Sequence, residues 1–397
     1  MTATNNQPLL GVLLRLVLGL AVLVSFPFPA LAEPGDEPGE ATKANDDVYV
    51  KLQSRNYAEL EQQFSRHLDS YAAGRISEYE LASKFAIFSR SYSLESRFDE
   101  WVSAYPKSYA ARLARAMYGV SDAWRKRGSE FASQTTDRQL RGFVEQLKKA
   151  ATDLQVSIEL YSRPVESYRH LIRISMGLGL GAGRSCLDAA LKLDGEAYYP
   201  RFDYLNSITP KWGGSVRQME SFIEESRRSP MSDKDKVRLE VEHHSFLAQQ
   251  AFWDKEYISA SEHYLKAYRL LNDAKWLLWS GKSALDGGFK ELAFSRFNEL
   301  IEAHPKYEWG YNQRGLLYEE HFKNDEKAFK DYLVAAGLGN SWAQNRVGWW
   351  YMTGKYVAQD YDKAKLYFNR AAAQKNKTAI ENLYNLDKLR QLADRAK

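Results

Sequence analysis

The stretch GKSALDGGFKELAFSRFNELIEAHPK, residues 281–306, contains the pattern that decides the fold. Gly281 is followed twelve residues later by Ala293, and four residues after that by Phe297. The first small residue recurs at spacings of 33, 34 and 33 residues, which is the period of a helical-hairpin repeat. The three recurring positions hold Ala248, Gly281, Gly315 and Gly348, then Ala260, Ala293, Ala328 and Ala364, then Tyr264, Phe297, Tyr332 and Phe368.

This order of small and large residues indicates how the helices pack. A small residue where the two helices of a hairpin cross lets their backbones approach, and the aromatic residue fills the space toward the next hairpin. Each unit ends at a residue that stops a helix or starts a turn. These residues are Asn272, Pro305, Asn340 and Asn376. We therefore predict an all-α fold, a curved helical-hairpin solenoid of four units over residues 236–397 with a capping helix at 382–395, preceded by an irregular helical domain at 48–235.

At these positions the chain resembles the tetratricopeptide repeat, whose small, aromatic and proline-like residues recur in the same order. The fourth unit has extra residues between its helices, GKYVAQD at 354–360, and resembles the longer Sel-one-like variant of that repeat. The resemblance implies a scaffold that binds a protein or peptide and has no catalytic activity. It also implies that the first helix of each unit lines a concave groove, where residues not needed for packing can contact a partner.

The repeat frame gives eight candidate partner-binding residues in this groove. Asn312 and Asn345 fall one repeat apart, and the resembled family holds a peptide backbone with side-chain amides at such positions. Tryptophans in the groove could also stack on sugar rings, so a cell-wall or exopolysaccharide glycan is an alternative ligand. Packing between hairpins explains the tryptophans equally well. The eight candidates are Lys275, Lys282, Trp309, Asn312, Leu316, Trp342, Asn345 and Trp349. Four other aromatics are interpreted as core residues: Trp276, Trp279, Trp350 and Tyr351.

Three segments between residues 90 and 225 resemble a bacterial family known only as a domain of unknown function. They are YAARLARA at 109–116, AWRKRG at 123–128 and PKWGGS at 210–215. The resemblance implies a helical domain that often accompanies repeats, and it brings no known activity. In the last segment we expect Ser215 to cap the following helix. The run GLGLGAG at 177–183 follows a helical pattern rather than a strand, so we interpret it as a turn between helices and not as a dinucleotide site.

No catalytic, metal-binding or cofactor-binding constellation stands out. His243 and His244 point about 100° apart on a helix, and neither an H-E-x-x-H motif nor a cysteine cluster accompanies them or His263. The single cysteine, Cys186, lies in an apolar helical pattern and is interpreted as core filling. We therefore expect no cofactor, no metal and no enzymatic activity. An enzyme of unrecognised type in residues 48–235 is the alternative, and it would need ionisable groups with perturbed pKa values in a cleft.

The first 32 residues have the features of a secretory signal peptide. Arg15 precedes the apolar run LVLGLAVLV at 16–24, and Ala30 and Ala32 supply the small residues that a signal peptidase reads. An uncleaved amino-terminal anchor is the alternative. Residues 33–47 are acidic and rich in proline and glycine, which predicts a flexible linker. We expect a bacterial protein exported to the periplasm or secreted, with no integral membrane span after signal cleavage.

Charge and composition limit the remaining function classes. The formal net charge is +4 for the whole chain and +3 once Arg15 is removed with the leader, and it is spread over segments of mixed sign. This distribution is not typical of a nucleic-acid-binding protein, which usually has a strongly basic face. The 44% hydrophobic and 27% charged residues are near globular averages, so a largely disordered chain is excluded.

Overall fold

A computed structural model of the chain describes residues 41–91, 93–128 and 135–395, with side chains from residue 47 to residue 388 within these ranges. All regular elements of the described residues are helical, which confirms the all-α prediction. None of the described helices is both long enough and apolar enough to cross a bilayer. The predicted signal peptide lies outside the described residues. The first described helix begins at Ala41, so residues 41–47 at the end of the predicted linker are helical.

The chain divides into two compact units, Met1–Leu239 and Glu240–Lys397. The helices of the first unit are α1 (Ala41–Gln53), α2 (Tyr57–Ala72), α3 (Glu78–Arg90), α4 (Glu95–Ala104), α5 (Tyr109–Arg127), α6 (Asp137–Leu160), α7 (Val165–Leu178), α8 (Gly183–Leu193), α9 (Tyr199–Ser207) and α10 (Val216–Arg227). Helix α11 (Asp233–Trp253) contains the division. The second unit continues with α12 (Tyr257–Leu271), α13 (Ala274–Asp286), α14 (Lys290–Ala303), α15 (Glu308–Glu320), α16 (Asp325–Gly337), α17 (Ser341–Thr353), α18 (Tyr361–Ala373) and α19 (Lys377–Arg395).

The first unit has an aromatic core where its early helices meet. Phe64 of α2 packs against Phe85 and Phe88 of α3, with ring centroids 4.6 and 5.1 Å apart. Phe98 and Trp101 of α4 lie 5.8 and 5.7 Å from Phe88. All five side chains are fully buried. Because burying one such ring stabilises a fold by about 1.5–3 kcal/mol, this cluster is a major source of stability in the first unit.

Two glycine-containing turns of the first unit are explained by backbone geometry. Helix α7 ends at Leu178, and Gly179 follows in the left-handed conformation with φ +64°. The GLGLGAG run is thus a turn between two helices, as predicted. Farther along, a Cβ atom at Gly214 would lie 1.9 Å from the Ile208 carbonyl oxygen, so only glycine fits there. Ser215 accepts a hydrogen bond from the Gln218 backbone N–H at 3.2 Å and caps α10, as expected.

The second unit is built from helical hairpins in the predicted frame. A Cβ atom added at Gly281 of α13 would lie 2.4 Å from the Phe297 ring of α14. The next two hairpins repeat this close approach. The pairs are Gly315 with Tyr332 at 2.9 Å and Gly348 with Phe368 at 2.7 Å. Each of these aromatic residues therefore packs on the first helix of its own hairpin. Two of the recurring aromatics also reach the next hairpin, as predicted: the ring centroid of Tyr264 lies 6.1 Å from that of Trp276, and that of Tyr332 lies 6.0 Å from that of Trp350.

The helix ends of the second unit also follow the repeat. Asn272 ends α12 in the left-handed conformation with φ +53°. Asn340 accepts a hydrogen bond from the Ala343 backbone N–H at 2.9 Å and caps α17. Asn376 makes the same contact with Ala379 at 3.0 Å at the start of α19. Asn340 and Asn376 cap their helices because their side chains replace the backbone partners that helix ends lack.

Helix α19 closes the last hairpin. Leu386 is fully buried against α18. The buried residues of this cluster are Ala364, Phe368, Ala371, Ala379 and Leu386. The helix begins at Lys377 instead of residue 382, and its role as the cap of the repeat stack stays a prediction.

Candidate functional site

The candidate partner-binding residues fall on one side of the first helices of the repeat units. Each residue turns an α-helix by 100°, so Trp309, Asn312 and Leu316 lie within a sector of about 60° around α15. The corresponding residues of α17 are Trp342, Asn345 and Trp349. Gly315 and Gly348 contact the second helix of their own hairpin, outside this sector. We call the eight candidate residues on α13, α15 and α17 the first-helix face.

Asn312 is buried on this face without an internal partner. Its residue exposure is 9%, and its side chain forms no hydrogen bond to any residue that the structure describes. A carboxamide can donate two hydrogen bonds and accept two. The side-chain atoms that are buried without a partner do not include those of Asn312, so its carboxamide reaches solvent. Asn312 is therefore suited to bind a polar group from another molecule.

Asn345, one repeat farther on, is not equivalent to Asn312. Its carboxamide oxygen accepts a hydrogen bond from Asn382 Nδ2 of the capping helix at 2.9 Å. One of the two asparagines predicted to hold a peptide is thus partly engaged within the chain. This contact could not be predicted from the sequence, because it depends on where α19 lies against α17. Leu316, beside Asn312, is half-buried.

The tryptophans of the first-helix face differ in accessibility. Trp342 is 58% exposed, and no described aromatic ring or cation lies against it. The guanidinium of Arg346 lies 5.1 Å from the centre of the half-buried Trp349 ring. Trp309 is also half-buried. Trp342 is therefore the candidate tryptophan that a partner can reach most easily.

The lysines of α13 each lie over a tryptophan. Lys275 Nζ is 4.7 Å from the Trp276 ring centre and 3.3 Å from an Asp273 carboxylate oxygen. Lys282 Nζ is 4.4 Å from the Trp279 ring centre. Cation–π contacts of this kind contribute about 0.5–1 kcal/mol at exposed sites. Both lysines therefore have contacts within the chain and are held in position.

The interpretation of four aromatics as core residues is right for two and wrong for one. Trp276 and Trp350 are buried, and Trp350 stacks on Phe329 with ring centroids 5.4 Å apart. Tyr351 is half-buried. Trp279, however, is 45% exposed. It lies two residues before Gly281, and the helix turns its ring away from the Phe297 contact.

An ion-pair network joins the third hairpin to the fourth. Glu319 of α15 accepts hydrogen bonds from Arg346 Nε at 2.9 Å and from the Tyr332 hydroxyl at 3.0 Å. Lys355, in the segment between α17 and α18, donates to the same carboxylate at 2.7 Å. Burial acts to raise the pKa of Glu319, but the hydrogen bonds from Lys355 and Arg346 outweigh it and lower the pKa. The inserted segment of the Sel-one-like unit is fixed to its neighbour through this buried carboxylate, which sequence reasoning missed.

The first unit contains a buried polar cluster that sequence reasoning also missed. Arg169 donates to Glu166 at 3.1 Å and to Asp203 at 2.8 Å. Glu78 accepts hydrogen bonds from two backbone N–H groups at the start of α9, and the ring of His170 lies 3.9 Å from the Glu166 carboxylate. All five residues are at most 5% exposed. The only sequence signal was the spacing of Glu166, Arg169 and His170, which places them on one face of a helix.

The cluster shifts the pKa values of its members. Burial, followed by the charge of Glu166, raises the pKa of Glu78 well above its ordinary value. Burial also raises the pKa of Glu166, although Arg169 opposes the shift. Burial and the charges of Arg169 and Arg173 lower the pKa of His170. Such perturbed groups are typical of active sites only where a substrate can reach them.

The first unit also has a cleft on its surface, and the residues that line it are not those of the buried polar cluster. Its volume is about 580 Å³. Lys126, one of its lining residues, forms an ion pair with Asp122, another lining residue, at 2.6 Å, and this hydrogen bond raises the pKa of Lys126. The full lining consists of Ser93, Glu95, Ser96, Asp99, Tyr118, Asp122 and Lys126. No member of the buried cluster is among them, so this cleft and the buried cluster are separate features of the first unit.

The histidines and the cysteine singled out in the sequence lie in contacts between helices or in the core. His244 Nδ1 lies 3.3 Å from His263 Nδ1, which is a contact between α11 and α12. Within the part of the chain that the structure describes, no three histidine, cysteine or acidic side chains are grouped so that they could hold a metal ion. Cys186 is buried, and burial raises the pKa of its thiol to about 12, so the thiolate is disfavoured.

The fold and the first-helix face define a helical-hairpin repeat protein, and this class rests on the glycine–aromatic packing described above. Residues 47–182 match the family model described as "Domain of unknown function (DUF4034)". The match confirms the resemblance predicted for the first unit, but it begins before residue 90 and ends before the PKWGGS segment at 210–215. No curated protein matches the chain.

Among solved structures, the chain is similar to repeat proteins of the predicted kinds. A Sel1 repeat protein from Oxalobacter formigenes is 18% identical with a TM-score of 0.36, and the alignment covers 59% of this chain and 100% of that one. Yeast Tom70 is 14% identical with a TM-score of 0.41, covering 92% of this chain and 68% of that one. YrrB, described as a TPR protein with an unusual peptide-binding site, is 14% identical with a TM-score of 0.26, covering 61% and 91%.

Proposed function

We propose that this chain is an exported, non-enzymatic scaffold that binds an extended peptide segment of a partner protein on the first-helix face. The observation that carries the proposal is the Asn312 carboxamide, which belongs to a largely buried residue, reaches solvent and has no partner among the described residues. An extended peptide presents N–H and C=O groups at regular intervals, and a carboxamide can bond to both. Trp342, exposed on the next first helix, supplies an aromatic anchor of the type that dominates binding energy at interfaces.

A glycan ligand is supported less well by the same face. Binding of a sugar chain by stacking requires open aromatic faces at successive positions. Lys282 covers one face of Trp279, and Arg346 covers one face of Trp349. Trp342 is left as the exposed tryptophan without such a neighbour in the described residues. The peptide is therefore the better-supported ligand, and the glycan is an outcome of the test below.

The proposal predicts that Asn312→Ala and Trp342→Ala both weaken peptide binding. Peptides are first selected from a random library on the full-length chain, and their Kd values are then measured by fluorescence anisotropy. Losing the buried hydrogen bonds of Asn312 should raise Kd about tenfold, which corresponds to about 1.4 kcal/mol. Losing the Trp342 anchor should raise it about 30-fold. Asn369→Ala, an exposed position on α18, is the matched control and should leave Kd unchanged.

Two outcomes would contradict the peptide proposal. Selected peptides that bind Asn312→Ala as tightly as wild type would remove the first-helix face as the site. Failure to select any peptide, combined with binding of a defined soluble polysaccharide that Trp342→Ala abolishes, would replace the peptide by a glycan.

Export of the protein rests on the first 32 residues and has its own test. Expression of the full sequence in bacteria should yield a mature chain that begins at Glu33, as measured by mass spectrometry of the intact protein. Ala30→Asp should block processing, because a small side chain is needed at this position. A chain that keeps its first residues in wild type would indicate an uncleaved anchor instead.

A further inference from the structure

One buried carboxyl group in the first unit links the starts of two helices. Glu78 is the first residue of α3, and its Oε2 accepts hydrogen bonds from the backbone N–H groups of Tyr198 at 3.1 Å and Tyr199 at 3.3 Å. These N–H groups begin α9. A carboxyl oxygen at a helix start satisfies donors that have no partner within the helix. The contact therefore holds α3 and α9 together, 120 residues apart in the chain.

The second oxygen of this carboxyl group needs a donor. Glu78 Oε1 and Glu166 Oε1 are both buried, and neither has a partner among the described donor groups. An ionised carboxylate only accepts hydrogen bonds, whereas a protonated one can also donate. The two carboxyl groups are close enough that each affects the pKa of the other. A single proton held between Glu78 and Glu166 satisfies both oxygens at once.

The charges around the pair do not compensate two carboxylates. On α7, Arg169 is shared between Glu166 and Asp203, and His170 is kept neutral by burial and by Arg169. On α9, the Arg201 guanidinium donates to the carbonyl oxygens of Ala197 and Gly195 and to no described carboxylate. Its charge acts on Glu78 and Asp194 without a direct hydrogen bond to either. The cluster thus holds three acids against one directly bonded cation. Uncompensated charge in a site with little exposure costs several kcal/mol.

The remaining ionisable groups near Glu78 are occupied elsewhere. The Tyr71 hydroxyl of α2 donates to Asp194 at 2.6 Å. Arg163, at the start of α7, pairs with the same carboxylate at 3.0 Å. Neither group can therefore neutralise an ionised Glu78.

We propose that Glu78 and Glu166 share one proton, and that losing this proton as the pH rises opens the contact between α3, α7 and α9. The Glu78–Glu166 pair is thus a pH-dependent switch within the first unit. This inference concerns the first unit alone and does not depend on peptide binding by the second.

The direction of the pH effect follows from the raised pKa of Glu78. The closed form keeps the proton at pH values where an opened, solvated glutamate has lost it. The stabilisation is therefore complete below the ordinary glutamate pKa and is lost as the pH rises through the raised value. Between these two limits the opening equilibrium constant should increase up to tenfold for each pH unit.

The test uses Glu78→Gln in the full-length chain. The glutamine oxygen can still accept from the Tyr198 and Tyr199 N–H groups, and its NH₂ group can donate to Glu166 without titrating. Hydrogen-exchange mass spectrometry between pH 5 and pH 9, corrected for intrinsic rates, follows peptides that cover residues 195–205. Protection should fall with rising pH in wild type and stay constant in Glu78→Gln. Glu145→Gln, an exposed position on α6, should keep the wild-type pH dependence.

Two results would overturn the switch: constant protection in wild type, or the wild-type slope retained in Glu78→Gln. If Glu78→Gln fails to fold, a ¹³C-carboxyl NMR titration of wild-type glutamates decides instead. One signal of the pair should remain in the protonated position above the pH where exposed glutamates titrate. Ordinary titration of every glutamate would overturn the proposal.

Discussion

Replacing Arg169 with methionine is expected to destabilise the first unit by about 3–5 kcal/mol. The guanidinium is bonded to Glu166 and Asp203 and lies 4.1 Å from the centre of the Tyr199 ring. Methionine retains much of the apolar stem, but it leaves two buried carboxylates without their cation. Urea unfolding, followed by hydrogen exchange in peptides from residues 160–205, measures the loss.

Arg184→Met is the matched control for this prediction. The Arg184 guanidinium forms two hydrogen bonds to Glu225, at 2.7 and 2.8 Å, but this pair is exposed. Exposed ion pairs contribute about 0–1 kcal/mol, so this variant should stay close to wild type. Lowering the pH should also reduce the effect of Arg169→Met, because protonation removes the charges left behind. A loss that is equal at all pH values would instead mean that Arg169 acts through packing alone.

The repeat half of the fold could be predicted from sequence because its information is local. Gly281, Ala293 and Phe297 lie within one hairpin, and the same spacing returns in the following units. A residue that must be small for two helices to touch is visible as a periodic glycine or alanine. The contact of the aromatic residue with the glycine of its own hairpin was less visible, since the same spacing also fits a ring that packs only on the next hairpin.

The groove residues could be placed on a helix face but not assigned their contacts. Helical periodicity correctly put Asn312 and Asn345 one repeat apart. It could not show that Asn382 bonds to Asn345, because that contact depends on the docking of α19. The exposure of Trp279 was missed for a similar reason. An apolar residue in a helical pattern is assigned to the core unless the neighbouring helices are known.

The buried cluster of the first unit was beyond the reach of sequence patterns. Glu166 and Arg169 are neighbours on one helix, but Glu78 and Asp203 come from two other helices. Acids in a helical protein are usually solvated, so none of the 51 acids stood out before folding brought these together. The cost of burying them is compatible with a stable unit only because Arg169, backbone N–H groups and a shared proton satisfy their oxygens.

The hairpin packing of the second unit makes Gly281→Ala a sensitive test of the repeat geometry. Alanine normally stabilises a helix interior by about 1 kcal/mol relative to glycine. Here the new methyl group would meet the Phe297 ring at 2.4 Å, and overpacking of this kind costs about 1–3 kcal/mol. We therefore expect Gly281→Ala to destabilise the second unit in urea, as measured by intrinsic fluorescence, to which seven of the ten tryptophans contribute from this unit.

A second substitution, at Phe297, tests whether a steric clash with this ring causes the loss of stability in Gly281→Ala. Phe297→Leu alone should destabilise the unit by leaving a cavity, but it makes room for the methyl group at position 281. The double variant should therefore lose less stability than the sum of the single variants, with a coupling of about 1 kcal/mol. Gly337→Ala, where a Cβ atom meets nothing within 4 Å, should not destabilise the same unit. Simple additivity of Gly281→Ala and Phe297→Leu would mean that the two residues do not touch, and the hairpin packing that defines the repeat would have to be revised.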